Sequence, residues 1–386
     1  MTAKKVLIYR NELLPSSETF ILSQTNALRR FRPLFGGLTR VSNSLDLTSH
    51  WVFTLSGSKS WESESWDEMV KRRAFLRTGH NRHLAHMVAT LSPQVIHAHF
   101  AIDACAVLPI AKKLGIPLLV TLHGHDVFYG EKALKLWPTT RAYLRRREEL
   151  WDYATLFMCV SEHVQRCAVI SGFPQKKLWA HRIGVHLPDA PEQNGIRDKR
   201  TVLFAGRLVE KKGCIHLIRA MSHVRRVIPN VHLVIVGDGP LRKELEQEAA
   251  VHCEGATFLG FQPHAEVKRW MRRARVLAVP SIRAQNGDAE GLPMVVCEAQ
   301  AEGLPVITFA TEGVTEALPI ERRNALPGEG DSAALAEQIL YLMSDDQAWQ
   351  AASDAGRLYV KSHFDLVSQT QLLEDKYEEV ITRPHA

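Results

Sequence analysis

The chain has 386 residues, a net charge of +6 and the apolar and charged fractions of a globular protein. Its length exceeds one ordinary hydrophobic core and predicts about two domains. No stretch approaches the roughly 18 to 20 apolar residues of a membrane span, so we expect no membrane-spanning segment. The six scattered cysteines form no C-x-x-C pair, which argues against a zinc ribbon and predicts reduced, mostly buried thiols.

Short apolar runs alternate with amphipathic stretches in the first half of the chain. The predicted strands are 5–10, 93–99, 117–123 and 155–161. The predicted helices are 18–30, 66–90, 103–114, 138–153 and 162–171. Continuous Val, Ile, Leu and Phe runs are typical of strands buried on both faces, and their alternation with helices indicates a parallel sheet.

The second half repeats this pattern. Its predicted strands are 201–206, 232–237, 256–260, 275–281 and 305–309, each followed by a helical segment. The stretch 347–384 is helical as well. The fold class predicted for both halves is α/β, as two doubly wound Rossmann-like domains.

A boundary is predicted at LPDAPEQNGIRDKR, residues 187–200, where Pro, Asn, Gly and charged residues cluster without periodicity. We therefore expect an N-terminal domain at 1–190, a C-terminal domain at 191–365 and a final helix at 366–386 that packs back on the N-terminal domain. The carboxyl ends of parallel strands are the usual ligand site of such sheets, so a central cleft is the expected site.

The charge is unequal between the halves. Residues 1–190 hold 25 Lys and Arg against 15 Asp and Glu, whereas residues 191–386 hold 23 against 27. Two basic clusters, at 71–82 and 141–147, contribute most of the excess positive charge of the first half. An anionic membrane surface or glycolipid is the candidate partner of this basic half, and solvated helix faces are the alternative. Nucleic acid is not an expected partner, because the clusters lack interleaved aromatic residues and a known motif.

The start of the chain, MTAKKVLIYR, has no apolar signal core with a small-residue cleavage site. We therefore expect a cytoplasmic protein. The positive charge of the first half additionally suggests peripheral association with the inner face of the cell membrane.

The segment EGLPMVVCE, residues 290–298, carries a carboxylate at each end. Pro293 suits the first turn of a helix that runs to about Ala301. The N–H groups of Gly291 to Met294 would then form an anion site. Glu290 and Glu298 would lie roughly 10 Å apart along this helix, too far for the pair of a retaining glycosidase. The spacing suits two carboxylates that bind hydroxyl groups on either side of a phosphate, although Glu290 alone could simply favour the helix dipole.

A cationic pair follows the first strand of the second half, in GRLVEKKG. Arg207 and Lys212 lie five residues apart in a strand-to-helix loop, where they would converge on a diphosphate. Surface charge is the alternative explanation for this pair alone.

Several motifs together resemble the group 1 retaining glycosyltransferases with the two-Rossmann B fold. They are GRLVEKKG, VIVGDGPLRKELE, FLGF and EGLPMVVCEAQAEGLPVI in the second half, and VIHAHF, TLHGHDV and VSEHV in the first. SETFILSQ, residues 17–24, resembles members of the exopolysaccharide or colanic-acid type.

The resemblance implies a role for each matching residue. Arg207 and Lys212 would bind the donor diphosphate, and Glu290 would contact the donor sugar. Glu298 would hold the ribose, and His123 would approach the sugar. The remaining donor-binding positions that it implies are Gly206, Gly237, Gly291, Leu292 and Pro293.

Acceptor or loop roles are assigned on weaker grounds. Ser17, Glu18 and Thr19 lie in the first strand–helix loop, RNELLPSSETF, where many relatives carry a Gly-Gly pair. Asp126 would orient a histidine or cap the next segment. The loop ATEGVTE, residues 310–316, also departs from the usual Gly-Gly pattern and leaves only Gly313.

The resemblance implies a retaining hexosyltransferase that moves a sugar from a nucleotide-sugar to a saccharide or lipid-linked acceptor. No D-x-D motif is present, so no metal or other cofactor is expected. A dehydrogenase would need G-x-G-x-x-G after its first strand, whereas VGDGPL follows a later strand and lacks the third glycine. An NTPase would need a P-loop, which the sequence lacks. The remaining alternatives are a sugar-nucleotide epimerase or phosphorylase on the same fold, and an inactive sugar-nucleotide-binding protein.

Overall fold

A computed structural model describes residues 3–56, 65–78, 81–129, 134–135, 138–188 and 197–382. The chain divides into two compact units, Met1–Gly184 with Leu366–Ala386, and Val185–Asp365. The predicted boundary between residues 190 and 191 lies outside the described residues.

The first unit contains a parallel sheet of seven described strands in the order β3-β2-β1-β4-β5-β6-β7. The strands are β1 Lys4–Leu13, β2 Phe31–Arg40, β3 Trp51–Thr54, β4 Val95–His99, β5 Leu118–Leu122, β6 Leu156–Cys159 and β7 Leu178–Ala180. The sequence pattern did not predict β2, β3 or β7. Pro33, Gly36 and Gly37 made β2 resemble a turn, and the other two strands are short.

The helices described with bounds in the first unit are Thr19–Asn26, Trp66–Thr78, Arg82–Leu91, Ala101–Leu114, His125–Phe128, Pro138–Tyr153, Glu162–Ile170 and Leu366–Thr382. The helical stretch predicted near 66–90 consists of two helices, Trp66–Thr78 and Arg82–Leu91. Asn81 starts the second one: its side chain accepts a hydrogen bond from Leu84 N at 2.8 Å.

The Leu366–Thr382 helix belongs to the first unit. The Tyr377 hydroxyl lies 2.6 Å from His97 Nδ1 of β4, and the Tyr377 side chain is fully buried. The Glu374 carboxylate accepts hydrogen bonds from the backbone N–H groups of residues 29–31 at the start of β2. This last helix therefore covers one face of the first sheet.

The second unit contains a parallel sheet of five described strands in the order β10-β9-β8-β11-β12. They are β8 Thr201–Ala205, β9 His232–Val236, β10 Thr257–Gly260, β11 Val276–Ala278 and β12 Val306–Ile307. The helices of this unit are Cys214–Val227, Arg242–His252, His264–Arg273, Met294–Ala301, Glu312–Thr315, Ile320–Arg323, Ser332–Ser344 and Asp346–His363.

Successive residues of β8 pack into different cores. Val202 and Phe204 belong to one buried cluster, and Leu203 and Ala205 belong to the other. Side chains alternate between the faces of a strand, so this sheet is covered by helices on both sides. The predicted α/β class, with two doubly wound domains, is confirmed.

The six cysteines form no disulfide within the described residues, and all but the half-buried Cys167 are buried. Within the described ranges, no helix has the length and apolar character needed to cross a bilayer.

Candidate functional site

The carboxyl ends of β8 and β9 meet at two glycines. Gly206 N donates a hydrogen bond to Val236 O at 3.0 Å. Gly237 has φ +137°, and a Cβ at this position would collide with the Gly206 carbonyl. Only glycine fits position 237 without strain, so the two predicted donor-binding glycines form one closely packed backbone edge.

A 3-10 turn, Glu210–Lys212, follows β8 and brings a predicted cation to a predicted carboxylate. Lys212 Nζ lies 2.8 Å from Glu290 Oε1, and their side chains are only 15% and 9% exposed. The angle leaves Oε1 without a hydrogen bond of regular geometry. Burial alone would raise the pKa of Glu290, but the charges of Lys212 and then Lys211 lower it below its ordinary value. The Glu290 carboxyl is therefore ionised at neutral pH.

The backbone of Glu290 is packed against Gly313. A Cβ at position 313 would collide with the Glu290 carbonyl oxygen. The one glycine left in the ATEGVTE loop thus stands where only a hydrogen atom fits beside the candidate site.

The helix after Glu290 is Met294–Ala301, with Pro293 at its N-cap. Pro293 was predicted inside the first turn; it lies one position earlier, with extended backbone angles, and precedes Met294. No side chain caps this N-terminus within the described residues. The first N–H groups of a helix have no partner within it, so the end at Leu292 to Val295 can bind an anion.

Glu298 lies in the second turn of this helix and contacts a residue that the sequence pattern did not single out. Its Oε1 lies 3.0 Å from His264 Nε2, at the start of the His264–Arg273 helix. His264 was missed because it lies 34 residues away in the chain, and no periodicity signals such a pair.

Arg207 is exposed at the surface of the second unit. No ion pair joins it to Glu290 or Glu298 in the part of the chain that the structure describes. The structure thus joins Lys212 to Glu290, and Glu298 to His264, and leaves Arg207 apart from both pairs.

In the first unit, His123 follows the carboxyl end of β5. Its Nε2 lies 3.0 Å from His99 Nδ1 at the end of β4. The rings of Phe100 and Phe20 lie 4.5 and 5.2 Å from the His123 ring, measured between centroids. Burial, then the charge of Arg10, lowers the pKa of His123 well below its ordinary value. His123 is therefore a neutral imidazole held on three sides.

Asp126 contacts the backbone of the same loop. Its carboxylate accepts hydrogen bonds from Ala101 N at 2.6 Å and from His123 N at 3.1 Å. Burial raises the pKa of Asp126 to about 6. Asp126 thus fixes the loop that carries His123 and does not contact its ring in the described structure.

The predicted acceptor loop contains a buried charge network. Glu18 binds Arg10 in a two-point contact, with Arg10 Nε 2.9 Å from Glu18 Oε2, and Asp103 contacts Arg10 from the other side. Ser17 is exposed and Thr19 half-buried. Glu18 is thus occupied by Arg10. Arg10 ends the apolar run KVLIYR, and a charged residue in that position is the sequence signal that could have predicted this network.

Family profiles match both halves of the chain. "Glycosyl transferases group 1" matches residues 188–359, and "Glycosyltransferase Family 4" matches residues 49–187.

Among curated proteins, the amylovoran biosynthesis glycosyltransferase AmsK of Erwinia amylovora is 29% identical over 58% of this chain and 58% of its own length. A GDP-mannose-dependent alpha-(1-6)-phosphatidylinositol monomannoside mannosyltransferase of Mycolicibacterium smegmatis is 30% identical over 64% of this chain and 67% of its own length. These matches span about three-fifths to two-thirds of the relatives' lengths.

Among solved structures, Anabaena HepE in complex with UDP and glucose superposes with a TM-score of 0.74 at 20% identity. The match covers 97% of this chain and 100% of that one. The fold is therefore that of the B-fold glycosyltransferases. The chain belongs to the group 1 glycosyltransferase family.

Proposed function

We propose that this protein is a retaining hexosyltransferase, which transfers a sugar from a nucleotide-sugar to a glycan or lipid-linked saccharide in the biosynthesis of exopolysaccharide or another cell-surface polysaccharide. One observation carries the proposal: the buried Lys212–Glu290 pair, 2.8 Å apart, between a glycine-lined strand end and a helix N-terminus. This arrangement offers a cation for a diphosphate and a carboxylate for sugar hydroxyls.

The leaving group would be stabilised from the second unit. Lys212 would turn from Glu290 to the donor diphosphate, and the N-terminus of the Met294–Ala301 helix would add its dipole. Exposed Arg207 is free to swing toward the same phosphates. Fixed positive groups aimed at a developing negative charge are the largest single contribution to catalysis of this kind.

The two carboxylates would bind hydroxyl groups of the donor. Glu290 stays ionised because Lys212 and Lys211 lower its pKa, so it can accept hydrogen bonds from the sugar. Glu298 would hold the ribose, with His264 orienting the carboxylate through Oε1. Gly206, Gly237, Gly291, Leu292 and Pro293 would border the donor through their backbone.

His123 would contact the donor sugar as a neutral hydrogen-bonding group. The acceptor hydroxyl attacks the anomeric carbon on the face from which the diphosphate departs. The bond from that carbon to the phosphate oxygen breaks, the bond to the acceptor oxygen forms, and the acceptor proton passes to the diphosphate. The configuration of the anomeric carbon is retained. In this proposal positive side chains neutralise the diphosphate, and no metal is required.

The relatives support the substrate class. AmsK is named for amylovoran biosynthesis, the mycobacterial relative for GDP-mannose, and the HepE structure contains UDP and glucose. UDP-glucose and GDP-mannose are therefore the first donors to test.

An anionic membrane surface is proposed as the place of action. The helix Trp66–Thr78 exposes Trp66 and Val70, at 76% and 41%, and also exposes Arg73 and Arg77. Aromatic and basic side chains on one exposed helical face suit the interface of an anionic bilayer. The place of action in this proposal is the inner face of the cell membrane, beside a lipid-linked acceptor.

The test incubates the purified protein with each nucleotide-sugar, with and without lipid-linked saccharide extracts, and follows release of the nucleoside diphosphate. NMR of the product then reports the anomeric configuration. Transfer with retention supports the proposal. Inversion would overturn the retaining mechanism, and conversion of the donor to another sugar-nucleotide would indicate an epimerase. Donor binding without transfer or hydrolysis would indicate an inactive binding protein.

A further inference from the structure

The loop 282–290 carries Glu290 but contains neither helix nor strand. Its backbone is anchored to the 3-10 turn Glu210–Lys212 at two points. Ile282 N donates a hydrogen bond to Lys211 O at 2.9 Å, and Gln285 N donates one to Glu210 Oε1 at 3.0 Å. These anchors hold the start of the loop and lie five or more residues before Glu290.

The Lys211 side chain contacts the end of the loop at two atoms. Lys211 Nζ lies 3.0 Å from Asp288 Oδ1 and 3.4 Å from the Ala289 carbonyl oxygen. That carbonyl belongs to the peptide bond that joins Ala289 to Glu290. Lys211 therefore fixes the peptide plane from which the Glu290 side chain extends.

The pair between Lys211 and Asp288 is partly shielded from water, with side chains 24% and 18% exposed. An ion pair in such a position is screened less than an exposed one, and Lys211 also makes a second bond to the backbone. Lys211 contributes to Glu290 electrostatically as well, because its charge helps to lower the pKa of that carboxyl.

We propose that Lys211 and Asp288 are positioning residues that hold Glu290 beside Lys212 and so set the rate of sugar transfer. The inference rests on the proposed function, in which Glu290 contacts the donor sugar. Neither residue is assigned a contact with the donor. Their loss should therefore misplace Glu290, while the nucleoside diphosphate binds as before.

Four variants test this clamp: Lys211→Met, Asp288→Asn, the swap Lys211→Asp with Asp288→Lys, and the conservative Lys211→Arg. Lys199→Met is the matched control, since it removes another Lys–Asp pair of the same unit, at 2.6 Å and 64% exposed on both sides. Each is assayed for kcat and KM, for nucleoside-diphosphate affinity by calorimetry, and for hydrogen exchange of the 282–290 peptide.

We expect Lys211→Met and Asp288→Asn each to lower kcat about 10- to 100-fold, the scale of a misplacement of about 1 Å. Nucleoside-diphosphate affinity should stay within about twofold, and exchange of the 282–290 peptide should rise. Lys211→Arg should regain most of the lost turnover and protection, because it restores both the cation and a donor to the Ala289 carbonyl. The swap should regain less, since an aspartate at position 211 cannot donate to that carbonyl. Lys199→Met should match the wild type.

Unchanged kcat and unchanged exchange in both Lys211→Met and Asp288→Asn would overturn the clamp. A loss of turnover in Lys211→Met that Lys211→Arg shows in equal measure would also overturn it. A wild-type protein that transfers no sugar would overturn the proposed function and not the clamp, because the exchange measurement decides the clamp by itself.

Discussion

The Lys212 ammonium lies 2.8 Å from the Glu290 carboxylate, although the two residues are far apart in the chain. Each group neutralises the other in the absence of a donor. A bound diphosphate would offer Lys212 a stronger anionic partner and release the carboxylate for sugar hydroxyls. The first prediction follows from this exchange of partners.

Replacing Lys212 with Ala should lower kcat by about 10² to 10³, the usual cost of one donor aimed at a developing negative charge. Arg207→Ala should lower kcat as well, but with less effect on folding, because Arg207 is exposed. Loss of Lys212, in contrast, leaves the buried Glu290 carboxylate without its cationic partner. Steady-state kinetics and melting temperatures check both variants. Arg219→Ala, which breaks a distant pair with Glu248, is the control. Unchanged turnover in both site variants would contradict the assignment.

Gly313→Ala should reduce turnover, because the added methyl group collides with the Glu290 carbonyl and must push that residue out of place. Gly328→Ala is the matched control, since a Cβ there meets open space. Kinetics of the two variants under the same conditions decide the matter. Equal activity of the two alanine variants would show that the backbone of Glu290 tolerates displacement.

His99 should act through His123. His99→Leu removes the hydrogen bond at 3.0 Å and should lower kcat about tenfold, whereas His99→Asn keeps an amide near the Nδ1 position and should retain more activity. Nitrogen NMR of labelled histidines should show that the leucine variant changes the tautomer balance of His123. Wild-type kinetics in both variants would show that the contact has no role in turnover.

His181 should make the folded protein sensitive to acid. Its ring is buried, neither nitrogen has a hydrogen-bond partner among the residues that the structure describes, and burial lowers its pKa to about 4 from an ordinary value of 6.5. The unfolded chain therefore binds more protons between pH 4 and pH 6.5, and stability falls as the pH is lowered through this window.

His181→Phe, which keeps a ring against Trp179, should reduce the slope of unfolding free energy against pH by about one proton in that window. Denaturant unfolding at several pH values measures it. Parallel curves for variant and wild type would contradict the prediction.

Reversing charge on the Trp66–Thr78 helix should weaken association with anionic vesicles. Arg73→Glu with Arg77→Glu should reduce flotation with phosphatidylglycerol vesicles, and Trp66→Ser should do so to a smaller extent. Lys112→Glu with Lys113→Glu gives the same charge change on another helix and serves as the control. Binding that neither salt nor the first pair of substitutions reduces would argue against this surface.

The sequence pattern predicted most of both sheets. Runs such as those of β4, β5, β8 and β9 are apolar throughout, because strands covered on both faces need apolar side chains at every position. β2 was not predicted because Pro33 and its glycines resemble a turn. The segment is a strand because it pairs with β1 and β3. The helix at Glu298 was predicted to within one residue at its start, since proline and glycine mark its ends.

The sequence by itself determined the α/β class, the family and the residue types of the candidate site, since these depend on local periodicity and on short motifs. Only the tertiary structure decided which charges meet: Lys212 with Glu290, Glu298 with His264, and Arg10 with Glu18 and Asp103. The physical reason is that an ion pair forms through space, at the ends of strands brought together by the sheet, and leaves no regular spacing in the chain.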